Sequence, residues 1–164
     1  MLRDMALDLP ERALVVVDSA ALVYLAEGDS ASPRRAVVEF FLRRAAAGEL
    51  RLAASTVAWA ELLELPLARR DPGLATRYRM LLSDSRRIAL REVDVVVAEE
   101  AASVAASLGP SRRRSLSSND IFHIATAIVL GADAVLTNDE DWVAVPRCPP
   151  VILVDELAAE LEPY

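Results

Sequence analysis

Residues 13–25 read Ala13-Leu-Val-Val-Val-Asp18-Ser-Ala-Ala-Leu22-Val-Tyr24-Leu25, and the change of period at Asp18 decides the fold. Before the aspartate the chain is apolar and β-branched without polar alternation, as in a strand buried on both faces. After it, Leu22, Tyr24 and Leu25 follow a helical spacing. A strand that hands over directly to a helix is the repeating unit of α/β proteins.

The same handover recurs along the chain. Pro33 opens a helical stretch to about residue 47, which Gly48 stops. A short strand over 50–54 leads to Ser55, an N-cap for a helix over 56–65 that Pro66 kinks or ends. A helix over 72–82 precedes a strand over 88–93, and Asp94 caps a long helix through Leu108. Residues 109–118 hold Pro110, four serines and the run Arg112, Arg113, Arg114, without apolar period, and read as an exposed loop. Helix resumes over 119–130 and is capped by Gly131; strands follow over 134–137 and 151–154, then a short C-terminal helix. Buried-type strands alternating with helices predict a three-layer α/β/α architecture around a mostly parallel sheet.

The 164 residues suffice for one core, so the chain is read as one domain, 1–164, with its core over about 13–155. Its apolar residues, 54% of the total, are broken by charge everywhere and form no run long enough for a membrane span. Residues 1–10 contain no uninterrupted hydrophobic stretch, and a cytoplasmic protein is expected. Cys148 is the only cysteine and His123 the only histidine, which excludes a disulfide framework and multi-cysteine or multi-histidine zinc chemistry. All 18 basic residues are arginine, which removes Walker A and Schiff-base mechanisms, since both need a lysine. No Gly-x-Ser-x-Gly elbow of a serine hydrolase is present. The net charge of −7 runs against a nucleic-acid binder, although a sum does not describe a local surface.

In open parallel sheets ligands bind beyond the carboxyl ends of the strands, so acids placed there come first. Asp18 directly follows one strand, Asp139 lies two residues beyond another with Asp141 close behind, and Asp120 stands at the start of a helix. Glu61 lies inside the most apolar helix, where a carboxylate needs a reason to be. Singly, each has a plainer explanation: Asp18 and Asp120 as helix caps, Asp139 as a turn residue, Glu61 as part of a solvated face.

As a set they resemble PIN domains. Residues 15–22 are similar to the opening block of that family, hydrophobic strand, Asp and a small hydroxyl residue. Residues 54–63 resemble its second block, with Glu61 after the first turn of a Ser/Thr-capped helix. Residues 119–127, and 131–142 with Thr137, Asn138 and Asp139, resemble the third and fourth. Asn119 stands where the family often has proline, and Ile121 and Phe122 are larger than its usual residues. The resemblance implies a metal-dependent endoribonuclease in which Asp18, Glu61, Asp120 and Asp139 are catalytic. It also implies magnesium or manganese held by Asp18, Asp120 and Asp139, with Asp141 the alternate to Asp139, and supporting roles for Ser19, Asn119 and Thr137. By size the chain looks most like the VapC-type toxins of toxin–antitoxin pairs, which implies an RNA substrate, an antitoxin protein and a homodimer. A housekeeping PIN ribonuclease of RNA maturation or decay, and a catalytically silent RNA-binding scaffold, are the rival readings.

The physics of such a pocket stands beside the resemblance. Carboxylates about 5 Å apart repel by roughly 3 kcal/mol per pair at an effective dielectric near 20, which protons or a dication must relieve. Oxygen ligands favour hard cations, which recruit a phosphodiester and activate water. Arg112, Arg113 and Arg114 are read either as backbone-binding groups or as a solvated loop. His123 is read as packed core or a hydrogen bonder on the pocket wall, and Trp59 and Trp142 as core and loop anchors.

Overall fold

The computed structural model describes residues 9–84 and 86–161, with Arg112 by its main chain alone. The expectation about residues 1–10 therefore falls almost wholly outside the described residues. Five strands, β1 (Leu14–Val17), β2 (Arg51–Ser55), β3 (Ala89–Arg91), β4 (Ala134–Thr137) and β5 (Val151–Leu153), form one sheet in the order β3-β2-β1-β4-β5. Every neighbouring pair is parallel. β1 is central, and its unbroken apolar run follows from that position. Val15 and Val17 enter one core while Leu14 and Val16 enter the other. β4 divides the same way, with Ala134 and Leu136 on the first face and Val135 on the second.

The first face is covered by α1 (Ser19–Ala26), α2 (Pro33–Ala46), α3 (Thr56–Ala68), α4 (Pro72–Ser83) and α8 (Val154–Ala159), which contribute Leu22, Phe41, Leu62, Tyr78 and Val154. The second is covered by α5 (Val95–Ser107) and α7 (Ser118–Val129), which contribute Val97, Val104 and Ile124. This is the expected α/β/α sandwich, with its sheet wholly parallel.

Caps set the helix starts. Ser55 accepts from the Val57 N–H, Asp71 from Leu74 and Asp94 from Val97. Gly48 and Gly131 take φ of +76° and +60° directly after α2 and α7, a left-handed conformation that glycine adopts without Cβ strain.

Three local readings change. Pro66 does not end α3: it is buried inside the helix, which continues to Ala68 and closes with bonds from Arg69 N–H to Leu65 and from Asp71 N–H to Pro66. One missing donor near a helix end is a small loss against a buried ring. Residues 109–118 are not all loop, because α6 (Arg112–Ser115) forms a single turn, its backbone closed by Arg113 N–H to Gly109 and Arg114 N–H to Ser111. Buried Leu116 anchors this turn, too brief to show a period. Finally, α7 begins at Ser118, with Ser117 as its cap.

Phe41, fully buried between α2 and the sheet, tests the packing. Phe41→Ala is expected to lower unfolding stability by about 3–5 kcal/mol. A loss below about 1 kcal/mol in chemical denaturation would contradict the described core.

A candidate acidic metal centre

Asp18 occupies the N-cap position of α1, yet its side chain makes no cap bond. The carboxylate turns instead to the end of the neighbouring strand, where Thr137 Oγ1 donates to Oδ2 at 2.8 Å, and Ser19 Oγ lies 3.4 Å from Oδ1. The adjacency of β1 and β4 brings Asp18 and Thr137 together, although 119 residues separate them in sequence. Asp18 is only 5% exposed.

Glu61 reaches the same place from α3. Its Oε1 accepts from Asn119 Nδ2 at 2.9 Å, and its Oε2 lies 2.7 Å from His123 Nε2. The same imidazole nitrogen stands 3.7 Å from Asp18 Oδ1. His123 is completely buried, stacked on Trp142 with ring centroids 6.1 Å apart, and its Nδ1 has no hydrogen-bond partner among the described residues. The sequence reads His123 as packed core or a hydrogen bonder on the pocket wall, and the structure shows it bonded to Glu61 and set between two acids. The available signal was its position one helical turn after Asp120, which places both on one face of α7.

Asp120 is partly explained by the plainer reading. Ser117 and Asp120 form a capping box: the Asp120 N–H donates to Ser117 Oγ and the Ser117 N–H to Asp120 Oδ2 at 2.6 Å. The same carboxylate nevertheless acts on Asp18, His123 and Asp139 through its charge. Asp139 caps the 3-10 helix Glu140–Ala144, accepting the Asp141 N–H at 2.9 Å, while its own N–H donates to Thr137 Oγ1. Asp141 is exposed, and only its backbone N–H and its charge on Asp139 link it to the group. The structure thus gathers Asp18, Glu61 and His123 tightly and draws Asp120 and Asp139 beside them, with Ser19, Asn119 and Thr137 as their hydrogen-bond donors. Arg113 and Arg114 are exposed on α6, and the Arg112 side chain lies outside the described residues.

Proton affinities record the crowding. Burial pushes Asp18 up, with Glu61 and Asp120 adding to it against the opposing pull of His123 and Thr137. Burial also favours a neutral Glu61, but bonds from His123, Ser19 and Asn119 and the charge on His123 outweigh it and hold Glu61 below the ordinary carboxylate value. Burial would lower His123; the Glu61 bond and the charges of Asp18, Glu61 and Asp120 overcome it and hold the imidazole above its ordinary value. Burial, Asp120 and Asp141 raise Asp139.

One ligand atom each from Asp18, Glu61 and His123 lies within 4.8 Å of the others. A dication with oxygen contacts of about 2.0–2.6 Å fits between atoms so spaced. Carboxylate oxygens suit hard cations such as magnesium or manganese, and the imidazole, bonded to Glu61 at 2.7 Å, stands beside such an ion.

A family model for the PIN domain matches residues 15–147. The chain belongs to the PIN domain family. Among solved structures it is similar to the VapBC2 complex of Rickettsia felis bound to a DNA fragment from its promoter, 15% identical with a TM-score of 0.66 over 85% of this chain and 98% of that one. It is also similar to VapBC-1 of nontypeable Haemophilus influenzae, 15% identical with a TM-score of 0.63, covering 87% of this chain and 98% of that one. VapBC-5 of Mycobacterium tuberculosis, of the VapBC family of toxin–antitoxin systems, is 24% identical with a TM-score of 0.54, covering 86% and 97%. At these identities the likeness concerns the fold. No curated protein matches the chain.

A pH dependence follows. Groups whose folded pKa is raised stabilise the fold at low pH and lose that contribution as pH climbs through the folded value; His123 and Asp18 both have this sign. In EDTA the protein is therefore expected to lose thermal stability as pH rises above about 6.5, the unperturbed histidine value. His123→Asn is expected to flatten that slope. A melting temperature that rises with pH over this range, or a slope untouched by the substitution, would refute the assignment.

Proposed function

We propose that this PIN domain is a divalent-metal-dependent endoribonuclease and the toxin of a toxin–antitoxin pair. The observation that carries the proposal is the convergence of Asp18 and Glu61, from different elements, on one buried histidine, with Asp120 and Asp139 alongside. Such crowding of like charge is unfavourable unless a cation or protons relieve it.

In this reading Asp18, Asp120 and Asp139 hold the ion, with Asp141 the alternate to Asp139, and Glu61 and His123 stand at its edge. The bound dication supplies Lewis-acid chemistry for the phosphodiester and the attacking water. Thr137 and Ser19 fix Asp18, so its carboxylate needs no reorientation when substrate arrives. Asn119 and His123 fix Glu61, which stays ionised at neutral pH and accepts a proton from water. Water oxygen bonds to phosphorus, the bond from phosphorus to the 3′ oxygen breaks, and that oxygen takes a proton from solvent. The products are a 5′-phosphate and a 3′-hydroxyl. Exposed Arg113 and Arg114, preceding α7, serve as contacts for the RNA backbone, and Arg112 is assigned with them from its position.

The toxin assignment rests on the likeness to solved VapBC and other toxin–antitoxin complexes. It carries an antitoxin protein that covers the pocket, a toxin homodimer and a cytoplasmic setting. No described helix is long and apolar enough to cross a membrane.

On structured RNAs the protein is expected to cleave with magnesium or manganese and not in EDTA. Asp18→Asn and Glu61→Gln should each lower the rate by about 10²-fold or more. Cleavage that survives both EDTA and these substitutions would defeat the mechanism.

A further inference from the structure

Beside the acidic centre lies a polar network that the proposed chemistry leaves unused. Asn138 stands between Thr137, which holds Asp18, and Asp139, which faces the charge of Asp120. Its amide is bound on three sides. Nδ2 donates to Tyr24 Oη at 2.7 Å and to Asp155 Oδ1 at 2.9 Å, while Oδ1 accepts the Asp155 N–H at 2.9 Å. A backbone N–H can only donate and a carboxylate can only accept, so the Asp155 partners fix which way the amide faces.

Asp155 is itself held. Arg34 grips it with two prongs, Nε to Oδ1 at 2.5 Å and Nη2 to Oδ2 at 3.1 Å, and the same guanidinium lies 5.7 Å from the centre of the Tyr24 ring. Burial opposes the charge on Asp155, yet the bonds from Arg34 and then Asn138 hold its pKa below the ordinary value. The network ties α1, α2 and α8 to the segment that follows β4.

We propose that Asn138 is a positioning residue for the metal centre, anchoring the segment that carries Asp139 against its repulsion from Asp120. Asp139 and Asp120 favour separation while no cation lies between them. Thr137 Oγ1 restrains only the Asp139 N–H. Both amide protons of Asn138 are committed to partners on other elements, so the backbone on either side is fixed at one point that the acids cannot displace. This inference rests on the functional reading above, which puts Asp139 among the metal ligands.

The test uses the full-length protein, with manganese alone as probe. Asn138→Asp keeps the shape but sets a carboxylate against Asp155; the double variant Asn138→Asp/Asp155→Asn restores a donor facing an acceptor. Calorimetric titration is expected to show manganese binding weakened about 10–100-fold by Asn138→Asp and largely regained in the double variant. Metal-free melting temperatures separate this from a general loss of stability, since a purely structural residue would shift them and leave the affinity of the folded protein unchanged. Binding within twofold of wild type in Asn138→Asp, or no recovery in the double variant, would overturn the proposal. Should the wild-type protein bind no manganese, the metal-centre reading fails by itself. Metal-free amide exchange then decides on the anchor: about tenfold faster exchange at 139–142 in Asn138→Asp, reversed in the double variant, upholds it, and unchanged exchange overturns it.

Discussion

A buried carboxylate at the end of the central strand is the constraint around which the rest of the site is arranged. Asp18 has almost no access to solvent, and burial opposes its charge. What makes the position tolerable is a set of neighbours that only this topology supplies: Thr137 from the adjacent strand, Ser19 from its own helix and His123 from the helix layer on the opposite face. A sheet order with β1 beside β4 is what brings Thr137 within reach. The parallel direction of both strands puts their carboxyl ends at one edge, where such sheets hold ligands.

The histidine offsets part of the crowding of the acids. His123 Nε2 lies between Asp18 and Glu61, and the Glu61 bond and the charges of both acids raise the proton affinity of the imidazole against its burial. Trp142 closes the pocket behind it, and the 3-10 helix bearing Trp142 also presents Asp139 at its start. A site of this kind is local: Asp120 serves both a capping box and the acid cluster, so the helix start and the chemistry share a side chain.

The layered α/β fold was legible because its signals are local. An unbroken Leu-Val-Val-Val run means two buried faces, and Ser55, Asp71 and Asp94 cap the helices they precede. Asp18, Glu61, Asp120 and Asp139 could be named as a set; the structure clusters Asp18 and Glu61 with His123, and Asp120 and Asp139 act on the group through charge and Thr137. Ser19, Asn119 and Thr137, which bond Asp18 and Glu61, were named with them; other partners were harder. His123 sits in Phe-His-Ile on an apolar helix, where packing and function look alike from the sequence. A proline commonly kinks or ends a helix, and only the burial of Pro66 inside α3 shows why this one continues. The α6 turn has no period to detect, and Asn138 finds Asp155 17 residues away across a strand and a cap.

The central claim is a place in space, and diffraction can test it directly. Crystals soaked in manganese and measured at its absorption edge should show one dominant anomalous peak within contact of Asp18 and bordered by Asp120, Asp139 and Glu61. A peak elsewhere, or none at millimolar manganese, would contradict the account.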